Sequence, residues 1–362
     1  MSRVLSELAR PIIAAPMAGG PSTPELVAAV GAAGGMGFVA GGYVGADRLA
    51  AAIEEVRGRG VRDFGVNVFV PGDAAADFGS ALESYARRLE GDARRLGVAL
   101  GEARYDDDDY AAKLDVVGRA RVPVVSFTFG LPGRSVVDDL HSRGSEVWVT
   151  VTDPATVPAA VGIGADALVV QGMEAGAHRG GPDDADDAAA AEAYALLPLL
   201  RLVAARTATP LVAGGGIADG ASVAAVLAAG AAAAQLGTAF LGCPEAGTAG
   251  PHREALGSDR ATRLTRAFTG RWARGIVNRF LLDHEAAAPP AYPHVHHLTA
   301  PLRAAARAAG DADSLHLWAG QAHPLIRRRP AGELIDQIMD EAAAALRAAA
   351  DALAARSPGR FP

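Results

Sequence analysis

Up to about residue 250 the chain alternates short, continuous apolar runs with longer segments in which apolar residues recur at helical spacing. Continuous runs without polar alternation suit strands buried on both faces, and strand–helix alternation is the signature of a parallel sheet covered by helices. Eight runs fit strands: Pro11–Ala15, Gly37–Ala40, Phe64–Phe69, Val122–Thr128, Glu146–Thr150, Ala167–Val170, Pro210–Ala213 and Ala232–Gly237. Helix signals stand between them. Thr23-Pro24-Glu25 supplies an N-cap, an N1 proline and a first-turn acid, with Gly34-Gly35 as the stop. Asp153-Pro154 and the segment from Asp219 to Ser222 open two more. Eight such units favour an α/β fold of the closed (β/α)8 TIM-barrel kind over an open sheet.

Two stretches exceed the barrel's needs. Residues 71–121 hold two helical patterns and the acidic run Asp106–Asp109, which reads as a solvated face because no histidine or spaced ligand accompanies it. After residue 250 the strand rhythm stops, and residues 259–355 read as mostly helical around a Pro/His-rich stretch, Pro289 to His297. The expected organisation is a barrel over 1–250, with its insertion at about 71–121, and a helical appendage over 251–362 that covers the barrel without being an independent domain.

Composition narrows the partners. The 362 residues carry a formal charge of −7 and no Lys/Arg stripe interleaved with aromatics, which argues against nucleic acid. Cys243 is the only cysteine, so an internal disulfide and a cysteine metal cluster are excluded; a buried small residue is the reading it fits. Pro11 and Pro16 break the first hydrophobic run, and no stretch reaches the ~18 apolar residues a membrane helix needs. The expectation is a soluble cytoplasmic protein, with a homodimer as the base-rate assembly.

In a barrel, chemistry collects where strands end. After the first strand come Ala15-Pro16-Met17-Ala18-Gly19-Gly20, small enough for a planar ligand to approach the backbone. Asn67 sits inside the third strand, where its amide needs a polar partner. After the sixth, the loop Gln171 to Gly181 is rich in glycine and carries Gln171, Glu174, His178 and Arg179; a histidine there can take a proton from carbon at neutral pH. The glycines Gly214-Gly215-Gly216 after the seventh strand, and Gln235-Leu236-Gly237-Thr238 after the eighth, stand where barrels cradle a phosphate on backbone N–H groups. The dinucleotide-type matches at Gly35 and Gly162 enter strands instead of opening helices, and read as turns. His294, His296 and His297 lack companion ligands, so no metal site is expected. Trp272, Trp318 and Tyr292 either cover the barrel mouth or pack the appendage.

These segments together resemble the nitronate monooxygenase family, formerly the 2-nitropropane dioxygenases. The resemblance runs through Pro11-Ile12-Ile13-Ala14-Ala15-Pro16-Met17, Phe64-Gly65-Val66-Asn67, the Gln171–Gly181 loop, Gly215 to Gly220, Gln235 to Phe240, Gly270 to Gly275 and Trp318-Ala319-Gly320-Gln321. It implies an FMN-binding barrel in which Met17, Asn67, Gln171, Gly176, Gly215, Gly216, Gln235, Gly237 and Thr238 contact FMN, with Ala15, Pro16 and Leu236 beside them. It makes His178 the catalytic base. The implied reaction oxidises alkyl nitronates of the propionate 3-nitronate kind with O2 to a carbonyl compound and nitrite. Two positions depart from the pattern: Ala177 stands where glycine is usual, and Trp272 where proline is common. The alternative is an NAD(P)H-dependent FMN reductase similar to enoyl-ACP or quinone reductases, which share the barrel and the Glu-Ala-Gly-x-His loop; the segment Trp318 to Gln321 favours the monooxygenase. A non-catalytic flavin-binding protein is the remaining reading.

Overall fold

The computed structural model describes residues 2–181 and 193–356. Eight parallel strands close into a barrel: β1 (Ile12–Ala14), β2 (Met36–Ala40), β3 (Gly65–Phe69), β4 (Val124–Thr128), β5 (Glu146–Val151) and β6 (Ala167–Gln171). A two-residue strand, β7 (Ala177–His178), stays outside it, and β8 (Leu211–Gly214) and β9 (Ala233–Leu236) complete the ring by pairing β9 with β1. All eight expected strands are present, with ends moved by at most two residues. The helix signals also hold. The Thr23 hydroxyl accepts from the Leu26 N–H at 3.0 Å, and Asp219 forms a capping box with Ser222. Asp153 opens a short 3-10 turn before its helix.

Strand alternation divides the barrel into layers. Residues such as Ile12, Val66, Val68 and Leu168 point outward under the helices, while Ile13, Phe38, Trp148 and Val169 fill the lower interior, plugged by Val4 of the first helix, Arg3–Glu7. Above that layer the inward residues become polar or small. The register sets Gln171 beside Gly214 and Gly214 beside Gln235, so the upper interior is hollow by sequence.

The segment between β3 and β4 forms two helices, Gly79–Leu96 and Tyr110–Arg119, as expected. The first packs on the helix His294–Ala309, and Tyr85, Leu89, Phe268, Phe280, Val295 and Leu302 make a second core there. The C-terminal helix Ala331–Arg356 lies against the helix Gly220–Ala228 so closely that a Cβ on Gly220 would stand 2.3 Å from the Ile338 carbonyl. Two features differ from the sequence reading. Strands β10 (Thr262–Thr265) and β11 (Ala273–Ile276) pair antiparallel and take β7 as their third member. Each is four residues long and carries arginine, and β11 also holds Gly275, so neither shows a strand's hydrophobic pattern.

The acidic run is likewise not wholly a solvated face. Asp108 lies 2.7 Å from the ammonium of Lys113, the chain's only lysine, which is fully buried. The other Asp108 oxygen accepts from the Tyr43 N–H at 2.9 Å. Burial pushes the Asp108 carboxyl up to about 6, against the pull of Lys113. A loop that looked like surface charge therefore fixes Tyr43, which has φ +65° and stands over the barrel. Among the described residues no helix is long and apolar enough to cross a membrane.

Candidate functional site

A cavity of about 310 Å³ opens at the C-terminal ends of the strands, where the loops after β1, β6, β8 and β9 converge. The predicted residues Ala15, Pro16, Met17, Asn67, Gln171 and Gly176 reach its wall. So do His178, Gly215, Gly216, Gln235, Gly237 and Thr238. Leu236 does not: alternation along β9 turns Gln235 inward and Leu236 outward into the core, where only its carbonyl serves the site, accepting from the Ala15 N–H at 2.9 Å.

Several of these side chains hold the loops. Gln171 accepts from the Gly180 N–H at 2.7 Å and donates to the His178 carbonyl at 3.0 Å, pinning both ends of the segment that carries the histidine. Asn67, adjacent to Ser126 in register, donates to the Ser126 hydroxyl at 2.9 Å and its carbonyl at 3.2 Å. Ser22 receives the Met17 N–H at 2.8 Å. Glu174 is not aimed at the cavity; both its oxygens accept from the Leu196 N–H at 3.0 Å and cap the helix Leu196–Ala204 from a distance.

The two glycine loops present N–H donors that an anion could take. Gly215 and Gly216 have φ of +120° and +67°, and the N–H groups of Gly215, Gly216 and Gly237 meet no acceptor among the described residues. Buried peptide donors are ordinarily paired, so clustered free ones mark a place for an oxyanion such as a phosphate. The donors belong to the loops alone. The helix that follows β8 has its first N–H groups occupied by Glu341, which accepts from Gly220 at 3.1 Å, and by Asp219. Gly176 has a different reason to be glycine: its Cβ would lie 2.5 Å from the Gly320 nitrogen.

His178 sits on β7 and is held in register with Ala273 of β11. Aromatic rings surround it, with centroids at 5.6 Å for Phe129 and Trp318, 6.0 Å for Tyr292 and 6.4 Å for Tyr43. Burial, and then the nearby Arg271 and Arg303 guanidinium groups, push its imidazolium down to about 3, so the ring is neutral at pH 7. Its Nε2 lies 2.9 Å from the Thr269 hydroxyl, which is itself 3.2 Å from the Arg271 carbonyl. With the hydroxyl hydrogen on that carbonyl, His178 donates through Nε2 and keeps a free lone pair on Nδ1, which has no protein partner among the described residues. This is the form a proton-abstracting base requires.

Other predicted residues disperse. His297 approaches Asp106 at 3.4 Å, His294 packs on Phe78, and His296 stacks on Tyr43 with centroids 4.1 Å apart. Trp318 lines the cavity and Tyr292 packs beside it, but Trp272 lies under the Arg266 guanidinium at 4.3 Å. Cys243 is buried, its thiol raised to about 12 by burial. Sequence reasoning missed Tyr43 and Phe129 on the cavity wall, although each lies within three residues of a strand end, where the barrel rule looks. Thr269, Arg303 and His316 carry no comparable signal, because elements beyond the barrel bring them in.

A closed barrel with a cavity at its C-terminal mouth, glycine loops whose N–H donors are free among the described residues and a neutral, part-buried histidine is the architecture of a barrel enzyme. The model of the family described as nitronate monooxygenase matches residues 2–341. The nitronate monooxygenase of Pseudomonas aeruginosa is 41% identical over 344 residues, spanning 92% of this chain and 96% of that protein. That of Paraburkholderia phytofirmans is 38% identical over 92% of each. Among solved structures, a nitroalkane oxidase from Streptomyces ansochromogenes superposes with a TM-score of 0.93 at 48% identity, covering 96% of this chain and 99% of its own. FabK from Thermotoga maritima does so with a TM-score of 0.75 at 25% identity, covering 97% and 99%. The chain belongs to the nitronate monooxygenase family, and is an oxidoreductase.

Proposed function

We propose that the chain is an FMN-dependent monooxygenase that oxidises alkyl nitronates with O2 to a carbonyl compound and nitrite, and that His178 takes the α-proton of neutral nitroalkanes so that they enter as nitronates. The observation that carries this reading is the neutral imidazole, with a free Nδ1, on the same cavity wall as the unpaired N–H donors of Gly215, Gly216 and Gly237. The residues fit the cofactor. Those donors would hold its phosphate, and Ala15, Pro16 and Met17 would give its planar ring an apolar, close-approach floor. Bound FMN supplies the electron acceptor for the nitronate carbon.

The chain's own residues do the rest. Gln171 fixes the His178 backbone and Thr269 orients its ring, so the lone pair is held in one direction. The surrounding Tyr43, Phe129, Tyr292 and Trp318 rings keep water from the base. The relatives' names, nitronate monooxygenase and nitroalkane oxidase, supply the substrate class.

The test is to mix the oxidised, FMN-loaded protein anaerobically with propionate 3-nitronate. The flavin absorbance is expected to bleach or redden; no change, with rapid bleaching by NADH, assigns the protein to the nicotinamide-dependent reductases instead. For the base, His178→Asn is expected to abolish turnover of neutral nitroalkanes while sparing pre-formed nitronates. Equal loss on both would refute the role.

A further inference from the structure

The cavity wall opposite the expected barrel residues comes from the helix His294–Ala309. His296, Arg303 and Arg307 all reach the cavity from it, and their spacings of seven and four residues align them on one helix face. Arg303 is part-buried, whereas Arg307 is exposed at the open end. Among the described residues Arg303 bonds only to its own helix: Nε donates to the Thr299 hydroxyl at 3.2 Å, and Nη2 to the His296 carbonyl at 2.7 Å and the His296 Nδ1 at 3.3 Å. Its Nη1 donates to nothing among the described residues, and no carboxylate pairs with the guanidinium.

A guanidinium edge that lines a cavity without a protein partner is free to take a ligand's oxygens. Burial lowers the Arg303 guanidinium to about 10, with Arg307 adding repulsion and the Tyr43 and Tyr292 hydroxyls opposing it. His316, also on the wall, is held neutral by burial and then by Arg303. Arginine's fork matches planar groups with two oxygens, and a nitronate and a carboxylate are both of that kind.

We propose that Arg303, with Arg307 above it at the entrance, is an oxyanion subsite that receives a planar anionic head of the substrate. It rests on the reading of the substrate as a nitronate, whose charge either sits on the reacting group or is joined by a carboxylate on the tail. Arg307 draws the anion in, and the unpaired Nη1 edge of Arg303 receives it. The substrate's orientation is then fixed between Arg303 and the Nδ1 of His178.

The test separates binding from turnover. The FMN-loaded protein is titrated calorimetrically with sodium nitrate, which mimics the reacting head, and with sodium propionate, which mimics a tail carboxylate. The wild type is expected to bind at least one, and the tighter probe identifies which head Arg303 takes. Arg303→Met is expected to weaken that probe by about 10- to 100-fold, the worth of one charged hydrogen-bond pair. Arg303→Lys keeps the charge without the fork, and is expected to weaken it several-fold at unchanged FMN content, which decides the matter if the methionine variant does not fold. Wild-type protein that binds neither anion, or variants that bind as wild type does, overturn the subsite. Because no turnover is needed, a protein inactive on nitronates that still loses anion binding in these variants keeps the subsite and loses only the proposed reaction.

Discussion

Ala177 has a backbone φ of +62°, in the left-handed region that costs a residue with a Cβ roughly 1–2 kcal/mol. The position is not free to relax. Gly176 before it is wedged against the Ala319–Gly320 backbone, and Ala177 and His178 are paired with Arg274 and Ala273 of β11. Replacement by glycine removes that strain. Against this stand the extra freedom of glycine in the unfolded chain, about 0.4–1 kcal/mol, and the loss of one part-buried methyl, a few tenths of the ~0.8 kcal/mol of a fully buried one. The net expectation for Ala177→Gly is a stabilisation of roughly 0.5 kcal/mol. Ala177→Val adds a β-branched side chain at positive φ, and is expected to lose at least about 1 kcal/mol. Over 362 residues a change of 0.5 kcal/mol moves the melting temperature by only about 1 °C, so the guanidinium midpoint is the better readout. The sign across the pair is what matters. A glycine variant 1 kcal/mol less stable than wild type, or a valine variant as stable, would mean that the loop's conformation is not set by strain at this residue.

Two further outcomes follow from buried charge. His178 and His252 are lowered to about 3 and 4 by burial, so the unfolded chain takes up protons first on acidification; their contribution is complete above pH 6.5 and is lost as pH falls toward those values. Asp108, raised to about 6, runs the other way, and returns stability as pH falls from 6 toward 4. Stability measured by denaturation is therefore expected to fall below pH 6.5 by about 1 kcal/mol per pH unit or more, while kcat/KM on neutral nitroalkanes shows no enzyme limb near 6.5; a flat stability profile down to pH 5 refutes the histidine assignment. Lys113→Met is expected to cost about 3–5 kcal/mol at pH 8 by leaving the Asp108 carboxylate buried without its cation, and Asp108→Asn with Lys113→Met to recover most of that. Thermal unfolding of both variants checks this, and equal loss in the double variant contradicts it.

The sequence by itself determined the barrel and one side of the cavity. Its parallel strands are buried on both faces, so they are written as continuous apolar runs, and local cap signals at Thr23 and Asp219 mark where helices resume. Position at a strand end then suffices to place Met17, Asn67, His178, Gly215 and Gly237 in one space, because barrel closure brings every strand end to the same mouth. Leu236 shows the limit of that logic, since the pleat turns every second residue away. The other side of the cavity was decided only by tertiary structure. Strands β10 and β11 exist because they pair with β7, and their four-residue patterns carry no strand signal of their own. Thr269, Arg303 and His316 lie on elements about 90 to 140 residues from His178 in the chain, and no local period encodes the packing that delivers them. The charge state of His178 belongs to that side too. An imidazole takes its ordinary value from its own chemistry, but its fall to about 3 comes from burial among rings and arginines contributed by distant segments.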